Sequence, residues 1–283
     1  MSSKRKFAVI GNPIDHSLSP KIHKLFAKEL GQDITYEAIK VEKEVFESRV
    51  NRLFEQGYGG LNVTLPLKEL AFDYADTLSE DSKACGSVNT LWKGGSKVFA
   101  DTTDGRGLVR DLTEKGIDLK DKEIIILGAG GSARAIIASL LRQDPARIAI
   151  GNRTRSKAEA LANQFSSPTN QIKVVDLSQD LNFVPDLIVN STSAGVLKEN
   201  VEFPKNLFSK QAQVYDLSYS EFDTPFMELA KQSGTEICYD GIGMLIHQAA
   251  LSFEIWTAET LSLIHISEPT RPLYISYAVF CLK

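Results

Sequence analysis

The chain has few cysteines and no long apolar run. Cys85, Cys238 and Cys281 are odd in number and lack the spacing of a metal site, which disfavours both a disulfide scaffold and a zinc module. No stretch reaches the roughly 20 apolar residues of a membrane span. The basic start at residues 4–6 is followed by too short an apolar segment for a signal peptide. We therefore expect a cytoplasmic protein without a metal ion, in which Cys85 and Cys238 are small core residues.

The chain also lacks an excess of positive charge. It carries 36 acidic and 32 basic residues, and its net charge of −4 argues against a nucleic acid or an anionic membrane as partner. A hydrophobic content of 43% and a charged content of 24% are typical of globular proteins, and 283 residues suffice for two domains. We expect a small-molecule substrate, and a monomer or a homodimer.

A glycine-rich turn lies between a predicted strand and a predicted helix. Glu123–Leu127 is a short β-branched run of the kind found in a buried parallel sheet, and Arg134–Arg142 reads as a helix. Glycines let the backbone approach a pyrophosphate, and a helix start offers it free N–H groups. The turn departs from a strict GxGxxG and alone would fit a connection that binds nothing, but its context favours a dinucleotide site. The candidate pyrophosphate-binding residues are Gly128, Ala129, Gly130, Gly131 and Ser132.

A basic, hydroxyl-bearing cluster follows the next predicted strand, Arg147–Ile150. An NAD enzyme usually places Asp or Glu near this point to bind the ribose 2′-hydroxyl. This chain has Asn152, Arg153 and Thr154 there, with Lys157 one turn later. Such a cluster suits a 2′-phosphate, so the sequence favours NADP over NAD.

Strands and helices alternate along most of the chain, which predicts a doubly wound α/β fold. Further predicted strands are Phe7–Ile10, Tyr36–Val41, Gly60–Thr64, Val88–Trp92, Lys97–Ala100, Ile172–Leu177, Leu187–Asn190 and Val214–Leu217. Further predicted helices are a first one with Ser19 as N-cap and Pro20 at its first position, then Val45–Phe54, Gly105–Lys115 and Gly241–Thr260. The fourth and fifth of these strands pair as a hairpin across Gly94 and Gly95.

The last stretch, residues 261–283, differs from the rest of the chain. Its first half has neither a helical nor a strand period, and its second half is aromatic, apolar and nearly uncharged. Such a composition is prone to aggregation. We expect a non-native origin for this tail, such as a frameshift, in preference to a genuine terminal strand.

Four polar clusters lie at strand ends or in loops, where open α/β sheets build their sites. Taken singly, each has a structural explanation: Ser19 as a helix cap, Lys68 as a solvated charge, Asn89 as a turn cap and Asp104 as an N-cap. The clusters are His16–Pro20, Asn62–Lys68, Ser87–Thr90 and Asp101–Gly105.

Together these clusters resemble the shikimate dehydrogenase family, from Phe7 to about Trp256. The matching motifs are Gly11-Asn12-Pro13 with His16–Pro20, Asn62–Pro66 with Lys68, Ser87–Leu91, Thr103–Gly105, Gly128–Gly131, Asn152–Thr154, and Asp240–Leu245 with Gln248. The resemblance implies an α/β chain of two domains. Residues 1–104 and 238–260 would form an N-terminal α/β catalytic domain with a mixed, mostly parallel sheet. Residues 105–237 would form a Rossmann-like NADP-binding domain with a doubly wound parallel sheet.

The resemblance also implies roles for individual residues. Lys68 would be the catalytic acid/base, paired with Asp104. Ser17 and Ser19 would hold the carboxylate of the substrate, with Tyr219 closing over that end. The ring hydroxyls would be bound by Thr64, Asn89, Asp104 and Gln248. The pyrophosphate would lie on Gly128–Ser132, the adenine ribose and its phosphate on Asn152, Arg153, Thr154 and Lys157, and the nicotinamide near Leu217 and Gly241.

The implied activity is the reversible NADPH-dependent reduction of 3-dehydroshikimate to shikimate. Two positions depart mildly from the family pattern. The family often has Met at the position of Leu217 and Arg at the position of Lys157. Lysine keeps the charge but loses the bidentate fork, which would weaken a preference for NADP. Two alternatives stay open: an NAD-dependent quinate/shikimate dehydrogenase, and a non-catalytic NADP-binding regulator of the same fold.

Overall fold

The computed structural model describes residues 4–167, 172–192 and 203–261, which form two compact α/β units. The first unit contains the described residues up to Thr103 and from Ile246 onward, and the second is Asp104–Leu245. Each unit has its own six-stranded sheet. Apart from Leu261, the tail for which the sequence suggests a non-native origin lies outside the described residues.

The elements follow one another along the chain in an alternating order. The strands are β1 (Arg5–Gly11), β2 (Ile34–Lys40), β3 (Tyr58–Val63), β4 (Thr77–Leu78), β5 (Thr90–Gly94), β6 (Lys97–Asp101), β7 (Glu123–Leu127), β8 (Arg147–Gly151), β9 (Lys173–Val175), β10 (Leu187–Asn190), β11 (Gln213–Asp216) and β12 (Ile237–Tyr239). The helices are α1 (Ser19–Glu29), α2 (Phe46–Glu55), α3 (Lys68–Tyr74), α4 (Glu80–Cys85), α5 (Asp104–Glu114), α6 (Gly131–Leu141), α7 (Arg155–Phe165), α8 (Pro225–Gln232) and α9 (Ile242–Thr257). A 3₁₀ turn at Lys43–Val45 precedes α2.

The sheet of the first unit is mixed, in the order β2-β1-β3-β5-β6-β4. β1 runs parallel to β2 and β3, β5 runs antiparallel to β3 and β6, and β4 runs parallel to β6. The predicted hairpin is confirmed, with Gly94 opposite Lys97 and a positive φ at Gly95. Since β1 and β3 are parallel, the loops after Gly11 and Val63 leave the same edge of the sheet, and both carry candidate site residues.

The sheet of the second unit is parallel throughout, in the order β12-β11-β10-β7-β8-β9. Its central strand β7 is buried on both faces, with Ile124, Ile125 and Ile126 all at 0% exposure, which explains the uninterrupted apolar run. The chain proceeds to one side through β8 and β9 and to the other through β11 and β12. The switch point between β7 and β10 is where such sheets bind ligands.

The second boundary between the units lies later in the chain than the predicted residue 238. Cys238 pairs with Val214 in the parallel ladder between β12 and β11, so this segment completes the second sheet. The division falls between Leu245 and Ile246, inside α9. At the first boundary, Asp104 is the first residue of the second unit, one residue earlier than expected. A three-residue edge strand carries too little pattern to be recognised in the sequence.

Across the described residues, none of the helices combines the length and the apolar character that crossing a membrane requires.

An aromatic cluster with a histidine at its centre forms part of the core of the first unit. His23 of α1 is fully buried and stacks on Tyr36, with ring centroids 4.1 Å apart and planes at 10°. Trp256 stacks on it at 5.5 Å, and Phe26 meets it edge-on at 5.8 Å. Burial disfavours the imidazolium form and lowers the pKa of His23 to about 3.

We expect the stability of the first unit to fall on mild acidification, because the unfolded chain protonates His23 near pH 6.5 and the folded chain does not. The free energy of unfolding is therefore highest above pH 6.5. It falls as the pH is lowered, by about 2 kcal/mol at pH 5. Urea unfolding at pH 7.5 and pH 5 measures it. His23→Phe should reduce the pH dependence by that amount, whereas Phe26→Leu should lower stability equally at both values. An unchanged pH dependence in His23→Phe would contradict the assignment.

Candidate active site

The serine-rich loop before α1 does not cap that helix. The residue before the helix is Leu18, no side chain caps it, and Ser19 is its first helical residue, so the capping role predicted for Ser19 is wrong. The backbone N–H of Ser19 donates to Ser17 Oγ at 3.3 Å, and the buried Ser19 hydroxyl shares a hydrogen bond with the phenol of Tyr36. The two candidate carboxylate-binding serines therefore lie together.

A buried hydrogen-bond network leads from that phenol across the sheet to α9. Tyr36 Oη donates to Asn62 Oδ1 at 2.6 Å. Asn62 Nδ2 donates to Ser252 Oγ at 2.9 Å and to the carbonyl of Asn89 at 3.1 Å. Burial of polar groups is tolerated because each finds a partner, and in a low dielectric such bonds hold geometry firmly. The network fixes the backbone of Asn89.

Asn89 and Gln248, both predicted to bind substrate hydroxyls, are in direct contact. Asn89 Nδ2 donates to Gln248 Oε1 at 3.1 Å and to Thr103 Oγ1 at 2.8 Å. Asn89 Oδ1 accepts from Thr90 Oγ1 at 2.8 Å and from the backbone N–H of Thr103 at 2.9 Å. An amide side chain offers two donors and two acceptor sites. A substrate hydroxyl would therefore share or replace one of these bonds.

Lys68 and Thr64 lie at the same edge of the first sheet as Asn89. Lys68 is the first residue of α3 and half-buried, and its carbonyl accepts from the backbone N–H of Val88, next to Asn89, at 3.1 Å. Thr64 follows β3 directly, and its backbone N–H donates to the carbonyl of Ile10 in β1 at 2.9 Å. Asp104 is buried and belongs to the second unit, where it begins α5.

The glycine turn after β7 has the geometry of a phosphate-binding loop. Gly128 has a φ of 106°, a Cβ there would lie 2.6 Å from Ser191 Oγ, and its N–H donates to the carbonyl of Gly151 at 2.8 Å. A Cβ on Gly131, by contrast, would meet no atom of the described residues within 4 Å. The first turn of α6 carries no acidic residue. The positive end of this helix is thus open to an anion.

A cavity of about 240 Å³ lies at the switch point of the second sheet. Arg153 and Lys157 supply its positive charge, and none of its described lining residues is acidic. Asn152 Nδ2 donates to the carbonyl of Thr154 at 2.8 Å, which folds the loop after β8. The lining comprises Leu127, Gly128, Ala129, Gly130, Gly151, Asn152, Arg153, Thr154, Lys157, Leu177, Ser191, Thr192 and Phe203.

Some lining residues were not expected from the sequence. Ser191 and Thr192 follow β10 directly, and their hydroxyls donate to the carbonyl of Leu127 at 2.7 Å and to Asn190 Oδ1 at 2.6 Å. In the sequence, these two residues are marked only by being polar and by following a buried strand. That pattern indicates a site only when β10 is known to lie beside β7. Leu177 and Phe203 carried no comparable signal.

The two residues expected near the nicotinamide meet at the end of β11. The N–H of Gly241 donates to the carbonyl of Ser218 at 2.9 Å, and a Cβ on Gly241 would lie 2.2 Å from the carbonyl oxygen of Leu217. Neither residue lines the 240 Å³ cavity, and nor do Gly131 and Ser132. Tyr219 lies in the same unit and is 36% exposed.

The parallel sheet, the glycine turn and the cationic cavity define the second unit as a Rossmann-like dinucleotide-binding domain. A family model described as the shikimate dehydrogenase substrate binding domain matches residues 9–91. Models described as shikimate / quinate 5-dehydrogenase and as the shikimate 5'-dehydrogenase C-terminal domain match residues 111–218 and 241–260. The chain belongs to the shikimate dehydrogenase family.

Individual relatives agree with the family match. A Vibrio atlanticus (strain LGP32) protein named shikimate dehydrogenase (NADP(+)) is 44% identical over 252 residues, which are 89% of this chain and 91% of the relative. The crystal structure of shikimate 5-dehydrogenase from Thermus thermophilus, in complex with NADP(H) and shikimate, is 31% identical with a TM-score of 0.83, covering 98% of this chain and 100% of that one. The predicted two-domain α/β fold is confirmed.

The fold alone does not select the substrate. A 5-ketofructose reductase of Gluconobacter sp. strain CHM43, solved in a ligand-free form, is 26% identical with a TM-score of 0.84, covering 99% of this chain and 100% of that one. Function has to be argued from the residues of the site.

Alanine substitutions should separate the structural and the binding roles of the glycine turn. Gly128→Ala should cost about 1–3 kcal/mol of stability because of its positive φ and the contact with Ser191. Gly131→Ala should not lower the melting temperature, because its Cβ would meet no described atom within 4 Å. It should weaken NADP binding, because the added methyl group takes up space at the helix start to which the family resemblance assigns the pyrophosphate. Thermal unfolding and fluorescence titration with NADP measure the two effects. A destabilised Gly131→Ala variant, or one with wild-type affinity, would contradict this interpretation.

Proposed function

We propose that this chain is an NADP-dependent oxidoreductase that reversibly reduces 3-dehydroshikimate to shikimate, on the route to chorismate and the aromatic amino acids. One observation carries the proposal, which is that this chain has both parts of the site that its family membership implies. Its cofactor cavity is lined by cations and by no acidic residue among those described. Its Asn89–Gln248 pair is hydrogen-bonded and lies close in space to Lys68. The curated relative at 44% identity is named for the same NADP-dependent activity.

The residues of the second unit fit a phosphorylated dinucleotide. Gly128–Ser132 would hold the pyrophosphate at the N-terminus of α6, where a Cβ on Gly130 or Gly131 would meet no described atom within 4 Å. Arg153 and Lys157 would bind the 2′-phosphate, with Asn152 and Thr154 shaping their loop. Leu217 and Gly241 would line the nicotinamide end. When bound, NADPH supplies the hydride that reduces the carbonyl carbon.

The residues of the first unit fit a hydroxylated carboxylic acid. Ser17 and Ser19 would bind the carboxylate near the start of α1, where the helix dipole favours negative charge, and Tyr219 would close over that end. Thr64, Asn89, Asp104 and Gln248 would bind ring hydroxyls. Because the Asn89 amide is held on several sides, its polar atoms are aimed before substrate arrives, which reduces the ordering cost of binding.

Lys68 would act on the substrate oxygen. Hydride arrival at carbon leaves an alkoxide that needs a proton from a group within about 3 Å. A lysine ammonium can donate that proton and can stabilise the developing negative charge before transfer. Asp104 would hold the Lys68 ammonium in position. In the reverse direction the lysine takes the proton from the alcohol.

Two rival functions account less well for the site. An NAD-dependent quinate/shikimate dehydrogenase is expected to place an acid near the ribose, and the described cavity lining offers Arg153 and Lys157 instead. A non-catalytic NADP-binding regulator would not need the lysine and carboxylate that this chain retains at Lys68 and Asp104. We further propose a cytoplasmic location, no nucleic-acid partner, and a monomeric or homodimeric state, in line with the charge of −4 and the scattered cysteines.

An activity assay with four substrate and cofactor pairings tests the proposal. Shikimate and quinate are each combined with NADP and NAD, and the absorbance of the reduced nicotinamide is followed. We expect the highest kcat/KM with shikimate and NADP. A preference for NAD or quinate would favour the first rival, and cofactor binding without turnover would favour the regulator.

Lys68→Met should lower kcat by about 10²-fold or more while changing the KM for shikimate far less, because the variant loses the proton donor but not the hydroxyl-binding residues. Lys83→Met serves as the control. Lys83 is exposed in the same unit, and its ion pair with Glu80, at 4.0 Å, is a surface pair of little energetic weight. Steady-state kinetics of both variants measure the effect, and wild-type parameters in Lys68→Met would exclude the catalytic role.

A further inference from the structure

A single buried phenol joins three segments of the second unit. Tyr215 lies in β11 and is 0% exposed. Its Oη donates to Asp111 Oδ2 in α5 at 2.7 Å and accepts from the backbone N–H of Met244, in the first turn of α9, at 3.1 Å. One hydroxyl thus uses its donor and an acceptor site to bind a strand to two helices.

Each of the three segments carries, or is directly adjacent to, a residue of the proposed active site. α5 begins with Asp104, the proposed partner of the catalytic lysine. β11 leads into Leu217, and Gly241 immediately precedes α9, so both segments lead to the proposed nicotinamide contacts. None of these roles involves Tyr215 itself, which is enclosed in the core.

We propose that Tyr215, together with Asp111, is a positioning residue that holds these three segments in register for hydride transfer. The inference rests on the proposed function and concerns only contacts inside the second unit. Tyr215 is enclosed and reaches neither substrate nor cofactor. It acts by fixing where Asp104, Leu217 and Gly241 stand.

The surroundings of Asp111 support a close and specific contact. A Cβ on Gly243 would lie 2.0 Å from Asp111 Oδ1, so the carboxylate occupies the space that any larger residue would need. Lys115 Nζ donates to the same oxygen at 2.6 Å. The carboxylate also faces the start of a 16-residue helix, where the dipole favours negative charge. Only glycine at position 243 allows α9 to approach α5 this closely.

The hydrogen bond from Tyr215 is of the strong kind. It joins a neutral donor to a buried carboxylate, and such charge-assisted bonds are roughly twice as strong as neutral ones. Burial, and then the Asp111 carboxylate, raises the pKa of Tyr215, so the phenol stays protonated and able to donate. Removing it would leave the carboxylate one donor short and the Met244 N–H without this acceptor.

Tyr215→Phe removes the hydroxyl and keeps the ring that packs in the core. Displacing the reacting groups by about 1 Å can slow a reaction by up to about 10²-fold. We therefore expect the kcat of Tyr215→Phe to fall by about tenfold or more. The adenosine end of the cofactor site lies on other segments. Binding of adenosine 2′,5′-bisphosphate, measured by calorimetry, should therefore stay within about twofold of wild type, less than 0.5 kcal/mol.

Two further variants separate positioning from general loosening. Ile148→Val truncates another buried residue of the same core and costs about 0.5–1.5 kcal/mol, so it should lower stability without lowering kcat. Asp111→Asn keeps an acceptor for the phenol, so its kcat should lie between those of wild type and Tyr215→Phe. It also decides the matter if Tyr215→Phe fails to fold.

The outcomes are distinct. A wild-type kcat in Tyr215→Phe, a wild-type kcat in Asp111→Asn, or a parallel loss of kcat and of bisphosphate binding in Tyr215→Phe would each overturn the positioning role. A wild type without shikimate dehydrogenase activity would overturn the proposed function and this inference with it. An active wild type with an unaffected Tyr215→Phe would overturn this inference alone.

Discussion

The first unit depends on a set of buried polar groups that are hydrogen-bonded to one another. The network joins two strands, the loop before β5 and helix α9, which are far apart in sequence. Its members, which donate to or accept from one another, are Tyr36, Asn62, Asn89, Gln248 and Ser252. A buried polar group left without a partner costs about 1–3 kcal/mol, so the network is stable only when all its members are in place. The same network fixes Asn89 at the edge of the sheet where Lys68 and Thr64 lie. The bonds that stabilise the unit therefore also hold residues of the proposed site in place.

The second unit solves a different problem, which is to hold negative charge at the edge of an apolar sheet. The middles of its central strands β7 and β10 are buried and apolar, so in the proposed function the turns and helix starts after these strands meet the negative charge. Gly130 and Gly131 stand at the start of α6, where a Cβ on either would meet no described atom within 4 Å, and a helix start offers backbone N–H groups to an anion. Arg153 and Lys157 come from the turn after the neighbouring strand and from the helix that it opens. The proposed anion-binding residues thus lie at the ends of elements whose middles build the core.

Much of this arrangement could be predicted from local pattern. The run Glu123–Leu127 and the hairpin at Gly94 are confirmed because period, burial and turn chemistry are short-range signals. The cap assigned to Ser19 was wrong because capping depends on the direction in which the chain enters the helix. Asn62, Ser252 and Tyr215 could not be assigned their places, since their partners lie up to 190 residues away. The roles of the site residues themselves stay predictions drawn from the family resemblance.

The exposure of the two cavity cations has a consequence for how the cofactor is chosen. Arg153 and Lys157 are both open to solvent, so any attraction they exert on a 2′-phosphate is screened by mobile ions, with a Debye length near 8 Å at about 0.15 M salt. The backbone groups that would meet the pyrophosphate serve NAD and NADP alike. Discrimination between the two nicotinamide dinucleotides would then narrow as ionic strength rises, which makes selectivity a property of the medium as well as of the protein.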